Sequence, residues 1–264
     1  MMSELGTLGT VLRRAGDLVD SARFSDVTEK SELDYVTDVD LRLDAFLTEQ
    51  LALLTPGIPV FSEERAMQRP TGAFWIIDPI DGTHNMMAGV PHYAVCAAFF
   101  DANEAQMAAV LDVAGQDLYL AKKGKGATLN GSPLRLTNKP STLAAISSGA
   151  LDALNERSDI YASLRTMAKI RNLGSQSLHL CYVAGGRLGF AISQEARFWD
   201  DAAARLIAEE AGACYHSFAA SENGDLLELA FSKAPLRSLC AHPDIFESID
   251  RLMTPLWWPD FGRA

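Results

Sequence analysis

The opening of the chain shows helical periodicity in two stretches that a polar interval separates. Residues 5–23 carry apolar residues three and four positions apart, which predicts an amphipathic helix. Residues 25–37 are polar and predict irregular structure, and Thr37 has the character of a helix N-cap. A second helix is predicted over 38–54, with Pro56-Gly57 at its end.

Strand patterns dominate the stretch that follows. Short apolar runs at 60–61 and 73–77 predict buried strands. A meander-like antiparallel sheet is predicted from four apolar runs with Gly- or Asp-bearing turns, at 93–100, 106–113, 117–121 and 126–129.

The second half of the chain alternates between the two types. Strands are predicted near 143–148, 169–172, 188–192, 213–218 and 226–231. Helices are predicted near 156–167, 174–184, 200–211 and 243–253. This mixture favours layered α/β sheets over a single doubly wound sheet.

Composition and charge narrow the class of protein. With 264 residues, 48% hydrophobic, the chain is long enough for one domain of two closely joined lobes, about 1–136 and 137–264. A net charge of −11 argues against direct binding of nucleic acid or of an anionic membrane through a basic face.

Four scattered cysteines without a C-x-x-C pair predict free core thiols and a reducing cytoplasm. We see no signal peptide and no apolar run of spanning length.

The segment Trp75–Asn85, W-I-I-D-P-I-D-G-T-H-N, is the most informative stretch. A buried strand ends in Asp78 and Asp81, and Pro79 and Gly82 allow a sharp turn that holds both carboxylates on one side. Two such carboxylates beside backbone N–H groups suit a hard divalent cation that in turn holds a phosphate. An ordinary strand-end turn with solvated aspartates explains this segment alone about equally well.

Two further acidic sites share the same placement at an element end. Glu63-Glu64 follows the strand at 60–61, and Asp200 follows Trp199 at the start of an Ala-rich helix. Taken alone, the glutamates fit a solvated turn and Asp200 fits a helix cap. No period along the chain ties the three sites together.

A resemblance connects these sites. The chain resembles the inositol monophosphatase family of magnesium-dependent, lithium-sensitive phosphatases over nearly its whole length. The segment 75–85 is similar to one family signature, and W-D-D-A-A-A-R-L-I-A-E-E-A-G-A at 199–213 is similar to another. Glu63-Glu64 resembles the upstream G-E-E element, with Ser62 in place of Gly. Residues 30–40 resemble a mobile loop and helix that help to hold a metal.

The resemblance implies a fold and a set of ligands. The fold is the αβαβα five-layer sandwich of the sugar-phosphatase type. Glu63, Asp78 and the Ile80 carbonyl would hold one Mg²⁺, and Asp78, Asp81 and Asp200 a second, with Glu63 facing a looser third ion. The catalytic residues would be Glu63, Thr83 and Asp81. A water near Glu63 and Thr83 would attack phosphorus, and the backbone N–H groups of Gly82 and Thr83 would bind the phosphate.

The substrate side departs more from the family pattern. Gly174, Ser175 and Gln176 occupy the region that contacts the alcohol portion of the substrate, where many members have side chains smaller than Gln176. Ser193 stands where such enzymes have a glutamate that binds the inositol ring, and Glu195 is a candidate replacement. Met86 replaces an aromatic residue after the G-T pair.

The sequence therefore predicts a Mg²⁺-dependent, cytoplasmic phosphoric monoester hydrolase, a homodimer by resemblance, that acts on inositol monophosphate. Alternative substrates within the same chemistry are a 3′(2′),5′-bisphosphate nucleotide, fructose 1,6-bisphosphate and histidinol phosphate. A rival from another class is a regulatory protein that binds the transcription or ribosome machinery. Lys122–Gly126 lacks the P-loop pattern and predicts a hairpin turn.

Overall fold

A computed structural model of the chain describes residues 4–21, 26–31, 34–65, 72–101, 103–136, 139–218, 231 and 234–257. The helices of this part of the chain are α1 (Glu4–Ser21), α2 (Asp38–Leu54), α3 (Thr83–Ala88), α4 (Ser148–Asn155), α5 (Ser158–Met167), α6 (Gln176–Ala184), α7 (Phe198–Ala211) and α8 (Pro243–Trp257). No helix among these residues is long and apolar enough to cross a membrane.

The strands of the first half are β1 (Val27–Ser31), β2 (Asp34–Thr37), β3 (Val60–Ser62), β4 (Phe74–Asp81), β5 (Ala94–Asp101), β6 (Glu104–Asp112), β7 (Asp117–Lys122), β8 (Gly126–Leu129) and β9 (Ser132–Leu134). Those of the second half are β10 (Leu143–Ile146), β11 (Lys169–Arg171), β12 (Phe190–Ala196), β13 (Cys214–Phe218) and β14 (Leu236–Ala241).

Two sheets carry the architecture. The larger has the order β3-β4-β5-β6-β7-β8-β9, parallel between β3 and β4 and antiparallel beyond. The smaller has the order β11-β10-β12-β14-β13, in which β10 runs parallel to both neighbours and β14 antiparallel to both of its own. The hairpin β1–β2 stands apart and leads into α2.

Three apolar cores hold these sheets in five layers. One joins α1 and α2 to the larger sheet and includes Leu8, Leu43, Trp75 and Ile77. The middle core joins the opposite face of that sheet to α6, α7 and the smaller sheet and includes Ile76, Cys96, Leu178, Ala203 and Cys240. The last packs α4, α5 and α8 on the outer face of the smaller sheet and includes Ile146, Phe190, Leu239 and Ile249. The order is αβαβα, as predicted.

Because the larger sheet is covered on both faces, β4 is buried at all eight of its residues. Alternate side chains of β4 enter different cores, with Trp75 and Ile77 in one and Phe74 and Ile76 in the other. Polar groups on β4 therefore gather at its end, where Asp78 and Asp81 lie.

Most predicted elements are confirmed, including the meander β5–β8, the Thr37 cap of α2 and the hairpin turn at Lys122–Gly126. The cysteines of the described residues are free, with Cys214 half-buried and the others buried. The prediction of irregular structure over 25–37 was wrong where β1 pairs with β2, because antiparallel hydrogen bonds satisfy a backbone whose side chains are polar. The short elements α3, α4, β9 and β14 were not predicted. The strand predicted near 226–231 lies, apart from Phe231, outside the described residues.

We expect Leu47→Ala to lower the free energy of unfolding by about 2–5 kcal/mol, because it removes a fully buried side chain from the core beneath α2. Leu53→Ala is the matched control on the same helix, since Leu53 is 70% exposed and should change stability by less than about 0.5 kcal/mol. Urea unfolding of both variants measures the difference. Equal losses would contradict this assignment of the core.

Candidate functional site

The acidic sites that lie far apart in the sequence meet at one edge of the larger sheet. Glu63 follows β3, and Asp78 lies in β4, which runs parallel to β3, so both strands end on the same side. Asp200 lies in the first turn of α7. The charges that act most strongly on Asp78 come from four carboxylates, those of Glu63, Asp200, Asp81 and Asp40.

This clustering changes the protonation chemistry of the aspartates. Burial, followed by repulsion from Glu63 and Asp200, raises the pKa of Asp78 well above its usual range. Burial and repulsion from Asp81 and Glu63 do the same to the pKa of Asp200. The hydrogen bond from Arg197 N to Asp200 Oδ2, at 2.8 Å, opposes the rise in the pKa of Asp200, and Ile80 N donates to Asp78 Oδ1 at 3.0 Å. The site therefore favours the binding of a positively charged ligand.

A bulge at the end of β4 sets the direction of the two aspartates. The register with β5 shifts between Asp78 and Asp81, so that Pro79 and Ile80 interrupt the regular ladder. Gly82 follows with φ of +98°, and a Cβ there would lie 3.1 Å from the Gly174 carbonyl oxygen. Only glycine combines this backbone conformation with so close an approach to the loop before α6.

Thr83 links the end of β4 to the start of α2. Its Oγ1 lies 3.0 Å from the Ile80 carbonyl oxygen and 3.2 Å from Asp40 Oδ1. A hydroxyl has one hydrogen, so Thr83 donates to one of these acceptors at a time. Asp40 also accepts from Thr37 N at 2.9 Å within the capping box of α2. Burial raises the pKa of Asp40, and the hydrogen bonds from Thr37 and Thr83 oppose that rise.

Asp40 is a site residue that sequence reasoning placed only within a resembling segment. Its signal was the capping box, in which Thr37 is followed three residues later by an acid. That pattern explains the helix start. It does not show that the second carboxylate oxygen reaches Thr83, because the two residues are 43 positions apart in the chain.

Asp81 is held by the N-terminus of α6. Ser177 N donates to its Oδ2 at 2.6 Å, Ser175 Oγ to the same oxygen at 2.7 Å, and Gln176 N to Oδ1 at 3.2 Å. The Ser177 hydroxyl also donates to Oδ2. A carboxylate at this end of a helix gains from the helix dipole as well as from the free N–H groups. Asp81 therefore fixes the position of α6 relative to β4.

A cleft of about 170 Å³ opens beside Asp81 and Asp200. Four of the predicted substrate-contact residues line it, namely Gly174, Ser175, Gln176 and Ser193. Sequence reasoning did not place Ser147 and His179 there, and it named Glu195 only as a replacement for Ser193. The other two predicted contacts, Gly82 and Thr83, are not part of this lining.

Two of these side chains are already engaged within the protein. The Gln176 amide donates from Nε2 to Asp201 Oδ1 at 2.8 Å, away from Asp81. The Ser193 hydroxyl accepts from Ala196 N at 3.2 Å within β12, at the point where the register with β14 shifts. These contacts hold each side chain at one polar atom, while Gln176 Oε1 is buried without a hydrogen-bond partner among the described residues. Glu195 is exposed.

The carboxylates of the site lie near one another but do not surround a single ion position in this conformation. Across the described ranges, no three His, Cys, Asp or Glu side chains converge closely enough to enclose one ion. In this arrangement four donors from α6 and its N-cap occupy the Asp81 carboxylate. The carboxylates are thus near enough to repel one another without sharing a single centre.

Comparison with known proteins places this geometry in a family. The model of the inositol monophosphatase family matches residues 5–243. The chain is 34% identical over 229 residues to Nus factor SuhB of Pseudomonas aeruginosa, covering 79% of this chain and 83% of that one. It is 33% identical over 194 residues to inositol-1-monophosphatase of Rhizobium meliloti, covering 70% and 73%.

The fold agrees with that likeness. The solved structure of the IMPase of Thermotoga maritima superposes with a TM-score of 0.82 at 26% identity, over 97% of this chain and 98% of that one. The five-layer order and the matched residues, which include both signature segments, point the same way. The chain belongs to the inositol monophosphatase family.

Proposed function

We propose that the protein is a Mg²⁺-dependent phosphatase that hydrolyses a small phosphate monoester, with inositol monophosphate as the first candidate substrate. The convergence of Glu63, Asp78, Asp81 and Asp200 at one sheet edge carries this proposal, because their mutual repulsion favours a bound cation. The family and the relative named inositol-1-monophosphatase support the substrate.

The donor set fits Mg²⁺. The proposed ligands are the side chains of Glu63, Asp78, Asp81 and Asp200 and the Ile80 carbonyl, all of which offer oxygen, as Mg²⁺ prefers. Bound Mg²⁺ would supply positive charge that stabilises the phosphate and favours the ionised form of the attacking water. To serve as a ligand, Asp81 must exchange at least one of its α6 hydrogen bonds, since four donors already occupy its acceptor sites.

The protein's own part of the proposed mechanism is to orient a water and take its proton. Thr83 can accept a hydrogen bond from a water beside Glu63 while donating its own hydrogen to Asp40 Oδ1, 3.2 Å away. One proton then leaves the water for Thr83 Oγ1 as the Thr83 hydrogen passes to Asp40. The raised pKa of Asp40 makes its carboxylate a better proton acceptor than an ordinary aspartate.

Phosphate release from a substrate panel tests this function. We expect Mg²⁺-dependent release, abolished by EDTA, with a preference among inositol 1-phosphate, 3′-phosphoadenosine 5′-phosphate, fructose 1,6-bisphosphate and histidinol phosphate.

Asp200→Ala should lower kcat by about a thousandfold, or about 4 kcal/mol, because it removes a proposed ligand. Asp244→Asn, at an exposed residue in the first turn of α8, is the control for a lost carboxylate. Near-normal turnover of Asp200→Ala would refute the assignment.

The same carboxylates predict how stability depends on pH without metal. An aspartate whose pKa rises on folding binds a proton more tightly in the folded state, so stability falls as pH rises above the usual value near 3.8. Asp78→Asn removes this effect. In EDTA its stability should exceed that of the wild type by more at pH 8 than at pH 4, because the wild type alone must keep a buried carboxylate there.

Urea unfolding across this pH range, with and without Mg²⁺, measures the gap. Mg²⁺ should stabilise the wild type more than Asp78→Asn. Asp101→Asn, an exposed aspartate at the end of β5, should show no such pH-dependent gain. A gap that stays constant from pH 4 to pH 8 would contradict the electrostatic account.

The relatives named Nus factor SuhB support a second candidate, a regulatory role in contact with the transcription or ribosome machinery. A net charge of −11 favours contact through protein partners over direct contact with nucleic acid. Asp81→Asn separates the two functions, because an enzyme loses turnover while a binding protein keeps its partner. Retained turnover in Asp81→Asn would argue against the hydrolytic site.

A further inference from the structure

A second pocket, of about 410 Å³, lies beside β11, the edge strand of the smaller sheet. Three basic side chains belong to its lining, those of Arg165, Lys169 and Arg171, and none of the described residues that line it is acidic. It shares no described lining residue with the cleft beside Asp81 and Asp200. The pocket is therefore separate from the candidate active site and opposite to it in charge.

The three basic side chains stand out because no acid neutralises them, although the chain carries a net charge of −11. Elsewhere on the surface, Arg42 pairs with Asp38 and Arg157 with Asp159, each at 2.9 Å. Within the described part of the chain, none of the three basic residues of the pocket forms an ion pair. Like charges around one cavity repel one another, and a bound anion would relieve that repulsion.

The free edge of β11 also presents hydrogen-bond donors. Lys169 N donates to the Thr142 carbonyl oxygen at 2.8 Å, so in this parallel pair the N–H and C=O groups of Ile170 point away from β10. The Ile170 carbonyl oxygen accepts from Arg171 Nη1 at 2.8 Å. Because a guanidinium group already covers this carbonyl, the edge is poorly suited to the addition of another strand. The edge is better suited to an anion, which needs donors alone.

The rest of the lining is largely apolar. Leu151, Tyr161 and Ile170 are half-buried and pack against the core that holds α4, α5 and α8. The guanidinium carbon of Arg165 lies 5.9 Å from the centroid of the Tyr161 ring, so a planar cation and an aromatic face lie side by side. This combination suits a ligand that joins an anionic group to a flat apolar one, and the volume is that of a small-molecule site.

We propose that this pocket is a second ligand site, which binds a nucleoside phosphate with two or more negative charges. The phosphate groups lie against Arg165, Lys169 and Arg171, and the base packs beside Tyr161. None of these residues is a proposed metal ligand, so binding here needs neither Mg²⁺ nor hydrolysis and does not rest on the proposed function.

Isothermal titration calorimetry of the full chain in EDTA tests this site. The probe is adenosine 5′-diphosphate, and adenosine is its uncharged counterpart. Without divalent cations, the carboxylates of the candidate active site repel phosphate groups and do not compete for the probe. We expect adenosine 5′-diphosphate to bind, more weakly as the salt concentration rises, and adenosine to bind at least about tenfold more weakly than the diphosphate.

Variants of the cluster locate the binding. Arg165→Gln and Lys169→Gln each remove one exposed charge, so each should raise the Kd for adenosine 5′-diphosphate about threefold, and the double variant about tenfold. Lys125→Gln, in the exposed turn between β7 and β8, is the matched control and should leave the Kd within about twofold. Thermal unfolding checks that each variant is folded.

Four results would overturn the proposal. The first two are an unchanged Kd in the double variant and the absence of binding at millimolar adenosine 5′-diphosphate. The third is adenosine that binds as tightly as its diphosphate, because the basic side chains would then contribute nothing. The fourth is a single-stranded RNA or an oligoglutamate peptide that binds more than about a hundredfold more tightly than the diphosphate, which would assign the surface to a macromolecule.

Discussion

Repulsion among carboxylates at one sheet edge is the constraint on which the rest of the site depends. Asp78 is buried at the end of β4 and faces the charges of Glu63, Asp81 and Asp200. Bringing such groups together without a cation costs free energy that the fold must supply from elsewhere. The burial of apolar side chains in the three cores supplies this free energy. The repulsion among the carboxylates at the sheet edge is therefore tolerated because the five layers pack well.

Helix α6 connects the body to that edge. Its buried residues, among them Leu178 and Cys181, pack in the middle core between the sheets. Its N-terminus binds Asp81, so the position of this carboxylate is set by the packing of a helix that lies between two sheets. Asn85 strengthens the junction, since its Nδ2 donates to the carbonyl oxygens of His92 and Leu173 at 2.8 and 2.7 Å. A shift of α6 would therefore move Asp81, the segment that contains Asn85 and the cleft wall together.

The spacing of apolar residues predicted the helices and strands that bury one face against the core. The helix at 38–54 and the meander from 93 to 129 repeat apolar residues at helical or strand spacing, and both are present. It failed at β1–β2 and α4, where a polar hairpin and a short capped helix are stabilised by backbone hydrogen bonds and by Ser147. The ligand set came from resemblance and not from spacing, because contacts such as Ser177 to Asp81 join residues 96 positions apart. No local pattern records such a contact.

The two sides of the cleft are under different constraints. On the side of the proposed metal ligands, a change at Asp78 or Asp200 alters the electrostatic interactions of the neighbouring acids, so few substitutions leave the site intact. On the side proposed to face the alcohol, Gln176 and Ser193 are held by hydrogen bonds within the protein, and Glu195 is an exposed residue held by one hydrogen bond from Gly149 N. An exposed side chain with a single anchor can change without disturbing the core. One proposed phosphatase site can therefore be combined with different alcohols among relatives that share the fold, which is why the ligand residues identify the chemistry better than they identify the substrate.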